Sequence, residues 1–300
     1  MMLKIENITK RFGTHTAVDN LTLEIPEKEL FGFLGGNGAG KTTTFRMILG
    51  LLDQTAGKIT WNDDKIGYEQ SHLIGYLPEE RGLYPKLKVK EQLIYLGKLR
   101  GMKAEDALTE LEKWLERFEI SHYLDKKVEE LSKGNQQKIQ FISAVIHRPA
   151  LLILDEPFSG LDPINVEMLK KAVLDLKDQG TSIVFSSHQM EHVEELCENI
   201  CILRKGKAVV QGNLQEIKRS FGKKTLIIHA DDMDLAPLET LDGVLTYRQT
   251  ANGCILQIEN EAVSQTILRE LQGKGFVRKF EIEEPTLNDI FIAKVGETYE

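Results

Sequence analysis

GGNGAGKTT, Gly35 to Thr43, is the stretch that decides how this chain is read. It matches G-x-x-x-x-G-K-[ST], with Gly35, Gly40, Lys41 and Thr42 on the fixed positions. The apolar run Leu30-Phe31-Gly32-Phe33-Leu34 before it predicts a buried strand. After it, Phe45, Met47, Ile48 and Leu49 fall at helical spacing. A strand, a glycine loop and a helix start form an anion cradle. Glycines let several N–H groups face one anion, and the helix N-terminus adds free N–H groups and partial positive charge. Gly36, Asn37, Gly38, Ala39 and Thr43 complete the cradle. Lys41 would reach β- and γ-phosphates, and the Thr42 hydroxyl would bind a divalent cation.

Further along, Leu151-Leu152-Ile153-Leu154 ends in Asp155-Glu156. Such a strand holds its terminal acids beside the phosphates. Asp155 suits Mg²⁺ through oxygen, and Glu156 suits a general base on water. Leu131-Ser132-Lys133-Gly134-Asn135 precedes a helical pattern with Ile139, Ile142, Ala144 and Val145. Ser132 reads as an N-cap, or, with the Gly134 backbone, as a contact for a second nucleotide's γ-phosphate. Ser159-Gly160-Leu161-Asp162 leads into a helix at Pro163. Ser182 to Ser186, SIVFS, is another buried strand, and His188 lies just beyond it. The spacing of His188 and His192 alone would allow a metal, but there is no H-E-x-x-H frame.

The composition fits this reading. Of the 300 residues, 41% are hydrophobic and 28% charged, ordinary for a globular chain. A net charge of −8 argues against a long nucleic-acid surface. Three cysteines, Cys197, Cys201 and Cys254, make no disulfide framework and read as buried small residues in a reducing compartment. No apolar run is long enough to cross a bilayer, and MMLKIENITK does not read as a signal peptide. Any membrane role then calls for another chain to do the spanning.

Two alternating runs, Leu3 to Ile8 and Leu21 to Ile25, predict an antiparallel edge. Lys103 to Glu119 predicts a helix with Ala104, Ala107, Leu108, Leu111, Leu115 and Phe118 on one face. Strands alternating with helices predict an α/β domain with a parallel sheet. Past Arg219 the texture changes. Residues 220–224 read as a linker, and 225–300 as a small α+β domain with strands at Thr225 to Ala230, Cys254 to Glu259 and Phe276 to Ile282, and a helix at Val263 to Leu271.

With the phosphate loop, the Ser132 signature, the acid pair, the aspartate loop and the histidine in this order, residues 1–219 resemble the ATP-binding subunit of an ABC transporter. The resemblance implies a P-loop NTPase core with an antiparallel edge sheet and a helical subdomain near residues 83–134. It implies ATP and Mg²⁺ as cofactors, Phe12 stacked on adenine, and His188 holding the γ-phosphate and attacking water. It implies two ATP-binding subunits, alike or different, closing head to tail over two ATP molecules. Each ATP would meet the phosphate loop of one subunit and Ser132 and Gly134 of the other, with Asp162 at their interface. The partner would be an integral membrane subunit docked on the helical subdomain, placing the chain peripherally on the cytoplasmic face.

Three positions depart from the family pattern. Lys133 and Asn135 alter the usual LSGGQ, Gly36 stands where proline is common, and Glu79 stands where a Mg²⁺-binding glutamine is usual. The C-terminal extension is similar to that of bacterial and archaeal export ATPases, with Glu284 to Phe291 resembling the closing helix of that subgroup. The alternative is an ABC ATPase acting on ribosomes or DNA.

Overall fold

Leu3, Ile5 and Ile8 are buried while their neighbours are more exposed, so the first strand packs one face inward. In the computed structural model, which describes residues 2–66, 68–80, 82–221 and 224–296, this strand is β1 (Met2–Phe12). It pairs antiparallel with β2 (His15–Pro26). The chain then enters β3 (Leu30–Gly35), α1 (Lys41–Ile48), β4 (Ala56–Trp61), β5 (Asp64–Lys65) and β6 (Ile74–Leu77). Strands β2-β1-β4-β5 form a four-stranded antiparallel sheet.

Three helices follow, α2 (Val89–Leu99), α3 (Ala104–Arg117) and α4 (Lys133–Val145). On α3 the buried residues are Ala107, Leu111, Trp114 and Leu115. Trp114, absent from the expected stripe, packs with Phe118 and Phe141 at ring separations of 5.6 and 5.8 Å. Leu108 is only half-buried and Ala104 is exposed.

Next come β7 (Leu151–Asp155), α5 (Pro163–Asp178), β8 (Ser182–Ser186), α6 (Met190–Leu196), β9 (Asn199–Arg204) and β10 (Lys207–Asn213). They complete a six-stranded sheet ordered β10-β9-β3-β8-β7-β6. Its pairs β9/β3, β3/β8, β8/β7 and β7/β6 are parallel. The central strands are buried on both faces, which explains the unbroken runs LFGFL, LLIL and SIVFS. Parallel pairing also sends the C-terminal ends of β3, β6, β7 and β8 to one edge. Asp155 lies opposite Ser186, and Leu77 opposite Leu154.

The chain divides into two compact units, Met1–Gly212 and Asn213–Glu300. The division falls before the expected boundary at Arg219. The reason is α7 (Leu214–Ser220), whose cap residue Asn213 accepts from Gln215 N and Glu216 N, so the chain is already helical in the second unit. Of the expected linker, Ser220 closes α7 and Lys224 opens β11 (Lys224–Asp231), while Gly222 and Lys223 lie outside the described residues. Arg81, two residues past Glu79, and residues 297–300 of the expected C-terminal domain lie outside them too.

In the second unit, β12 (Val244–Thr250), β13 (Gly253–Ile258) and β14 (Phe276–Glu283) join β11 in an antiparallel sheet ordered β12-β13-β11-β14. Helices α8 (Glu261–Leu271) and α9 (Leu287–Val295) complete it. Its core gathers Leu226, Ile228, Cys254, Leu256, Ile258 and Ile267. All three cysteines are free and buried, and burial pushes the Cys201 and Cys254 thiols up to about 12 and about 11.

Candidate functional site

The phosphate loop joins β3 to α1 through Gly40, which caps the helix in the left-handed region at φ 107°. A Cβ there would lie 2.6 Å from the Ala17 carbonyl oxygen, so the position requires glycine twice over. The first N–H groups of α1 have no acceptor within a helix, so they are free to face an anion. Lys41 Nζ donates to the Gly35 carbonyl at 2.6 Å, and Ala39 N donates to Gly36 O at 3.1 Å. Thr42 and Thr43 stand in the first turn of α1, and Thr44 Oγ1 turns back onto Gly40 O. Asn37 and Gly38 form the exposed tip.

Asp155 ends β7 almost fully buried. The Ser186 hydroxyl donates to its Oδ1 at 2.5 Å, and the Thr42 side chain also favours its ionised form. Burial raises its proton affinity above the ordinary carboxylate range. The Ser186 bond and the Lys41 charge pull it back, and the Glu79 charge pushes it further up. Ser186 was missed in the sequence. Its signal was position alone, the last residue of the strand beside the acid pair.

Glu156 is 7% exposed and adopts φ 51°, a left-handed conformation that only a constrained non-glycine residue keeps. Its N–H bonds Ser186 O at 3.1 Å, and its Oε2 lies 2.8 Å from His188 Nδ1. Burial raises the proton affinity of Glu156, opposed by His188 and Lys41 and supported by Asp155. His188 stays largely exposed, two residues past β8, so its ring joins a buried acid to solvent. His192 sits elsewhere, on α6, edge-on to the Phe158 ring at 4.9 Å.

Glu79 follows β6 at the same sheet edge and is exposed. Its charge reaches Asp155. Among the described residues no cluster of three or more histidine, cysteine or acidic side chains could hold a metal. The set Thr42 hydroxyl, Asp155 carboxylate and Glu79 carboxylate offers oxygen atoms only, which fits a hard cation such as Mg²⁺ that keeps waters and phosphate oxygens as its other ligands.

Ser132, exposed, and Gly134, half-buried, belong to a second cluster. Ser132 caps α4, accepting from Asn135 N at 3.3 Å. Asp162 caps α5, accepting from Asn165 N at 3.1 Å and from the Asn165 amide. Those bonds hold its carboxyl below the ordinary range. The Gly134 Cα faces Leu161 and Asn165, so the two caps adjoin. Phe12 ends β1 at the hairpin, half-exposed, with Lys10 Nζ 5.1 Å from its ring centroid.

Residues 18–159 match the family model for the ABC transporter, and residues 212–295 match the one for the ATP-binding protein DrrA1-3-like, C-terminal domain. The chain is 66% identical to an uncharacterized ABC transporter ATP-binding protein, YhaQ of Bacillus subtilis (strain 168), over 100% of both chains. It is 31% identical to the linearmycin resistance ATP-binding protein LnrL of the same organism, over 99% of each. A solved structure of an ATP-binding subunit of an ABC transporter superposes with a TM-score of 0.70 at 28% identity, covering 74% of this chain and 94% of that one. These relatives give the ribosome or DNA alternative no support. A phosphate loop facing a buried acid pair, continued by a DrrA-like extension, places this chain in the family of ABC transporter ATP-binding proteins, ATPases that bind and hydrolyse ATP.

Proposed function

We propose that the chain powers an ABC exporter through ATP-driven closure of two ATP-binding subunits, docked on a membrane partner at its cytoplasmic face. The observation that carries the hydrolytic part is the Glu156–His188 pair at 2.8 Å, set beside Asp155 at the edge where the phosphate loop opens. The loop N–H groups and Lys41 hold the phosphates. Glu156 accepts the proton of the attacking water, and His188 holds that acid and the water in line. Mg²⁺, when bound through Thr42, Asp155 and Glu79, supplies neutralising charge at the β- and γ-phosphate oxygens.

The rest of the reading follows from exposed groups. Ser132, Gly134 and Asp162 contact the nucleotide or the partner subunit across a dimer interface. Ile164, 77% exposed beside Asp162, supports that assignment. ATP favours the closed pair because it touches both halves only there, and hydrolysis removes the preference. Tyr84, Leu87, Tyr95 and Leu99 are exposed on and before α2, an apolar surface suited to a membrane subunit's cytoplasmic segment. No described helix is long and apolar enough to cross a membrane. The full-length likeness to a linearmycin resistance protein, extension included, favours export.

The test is recovery of tagged Glu156→Gln protein with ATP from its native membranes in mild detergent. A stoichiometric polytopic membrane protein is expected. Recovery of ribosomal or DNA-associated partners alone would overturn the transporter reading.

A further inference from the structure

Helix α4 buries two glutamines three residues apart on one face, Gln137 at 4% exposure and Gln140 at 3%. Buried amides in a helix are unfavourable unless bonded, so their partners matter. Gln137 Nε2 donates to Pro157 O at 3.0 Å, in the loop directly after Glu156. Gln140 Nε2 donates to both Pro78 O and Glu80 O, each at 3.1 Å. The two carbonyls flank Glu79 on either side. One NH₂ group has two hydrogens, and both are committed to the loop. Gln140 Oε1 is buried without a partner. A flipped amide would set that oxygen against two carbonyl oxygens, so the orientation is fixed. The bonds to the loop are kept while a buried acceptor goes unmatched.

We infer that Gln140 is a positioning residue for ATP hydrolysis: it clamps the backbone on both sides of Glu79 and so sets how close that carboxylate stands to Asp155. The inference rests on the reading of Glu79 as a Mg²⁺-side group. The field of Glu79 already reaches Asp155, so a shift of the loop alters the charge around the cation ligands. One turn earlier, Gln137 holds the other loop, behind the general base. The two glutamines therefore act on different steps, although they share a helix and a degree of burial.

The experiment is steady-state ATPase activity of the purified full chain against Mg²⁺ concentration. The variants are Gln140→Met, Gln137→Met, Glu79→Ala and Glu79→Ala/Gln140→Met. Methionine keeps the length and packing of glutamine and removes the donors. Outer-shell partners of metal ligands typically contribute 10–100-fold to affinity, so Gln140→Met should raise the half-saturating Mg²⁺ concentration about tenfold. The double variant should match Glu79→Ala alone. Gln137→Met should lower kcat and leave the Mg²⁺ midpoint in place.

A Gln140→Met midpoint at the wild-type value, with Glu79→Ala shifted, overturns the inference and leaves the Glu79 reading standing. An equal shift from Gln140→Met in the Glu79→Ala background overturns it too, because the amide then acts elsewhere. An unmoved midpoint in Glu79→Ala overturns the Glu79 reading and this inference with it. Identical profiles for the two glutamine variants reduce both to general packing. If Gln140→Met loses cooperative thermal unfolding, Gln140→Asn, which withdraws the amide by one methylene, carries the same test.

Discussion

Asp155 and Asp162 are seven positions apart in sequence and opposite in physical situation. Asp155 is buried at a strand end, its proton affinity raised, surrounded by Ser186, Thr42 and Lys41 of its own chain. Asp162 is exposed at a helix start, its proton affinity lowered by backbone donors. The same contrast separates Glu156 from Ser132. One region is assembled by the parallel sheet and holds unfavourable buried charge and strained backbone. The other consists of two adjoining helix caps that are content in water. A chain stores strain where chemistry needs preorganisation. An exposed cap keeps its geometry whether or not a partner arrives.

The sharpest break in that comparison is Glu156→Gln. Turnover should fall by about 10²–10⁴-fold, the range of a general base, with ATP binding retained. The linkage sign also runs against this acid. Its folded proton affinity is raised, so its contribution to stability is present below the ordinary value of 4.5 and lost as pH rises through the folded value. At pH 7 the ionised form is therefore unfavourable in the nucleotide-free protein, and Glu156→Gln should melt at a higher temperature than wild type. A lower melting temperature would mean that the His188 pairing outweighs the burial.

Two glycines put the same contrast in steric form. Gly40→Ala forces a side chain into φ 107° and against the Ala17 carbonyl, and should lower folding stability by about 1–3 kcal/mol. Gly134→Ala meets nothing nearer than Leu161 Cδ2 at 3.6 Å, so the isolated chain should unfold like wild type. Its effect should appear only in ATP-dependent association, read by size-exclusion chromatography with light scattering. Equal destabilisation of the two variants would erase the distinction between a built region and an open one.

How far the sequence reveals each region depends on what its residues must satisfy. The phosphate loop is legible because glycine, lysine and hydroxyl positions are fixed by one anion, and LLIL and SIVFS are legible because parallel strands are buried on both faces. Helix α2 was not read, because Tyr95 and Leu99 are exposed while Gln92 and Gly97 are buried, which blurs the apolar stripe. The edge strands β10 and β12 were missed for the same reason, being largely exposed. Ser186 and Gln140 were illegible since their partners lie across the sheet or on another element. The early domain boundary turned on Asn213, a cap that resembles any other turn asparagine until the helix after it is seen.

Ser186→Ala removes a neutral donor from a buried carboxylate without leaving a cavity. It should raise the half-saturating Mg²⁺ concentration about tenfold, measured by ATPase titration, because an outer-shell bond that orients a ligand is lost. It should also raise the proton affinity of Asp155 further, since that bond lowers it. An unshifted midpoint would mean that Thr42 and Lys41 orient the carboxylate unaided.

The smallest effect belongs to Asp162. Its depressed proton affinity gives a contribution that is present above the ordinary value of 3.8 and lost as pH falls through the folded value. The carboxylate is in solvent, where such bonds are screened, so Asp162→Asn, which still caps α5, should leave the melting temperature at pH 7 close to wild type. Below the ordinary carboxylate range the two proteins should converge further. A large loss of stability on Asp162→Asn would show that this cap holds its own chain together, as Asp155 and its partners do, and the contrast between the two aspartates would fail at the point where it is most exposed to test.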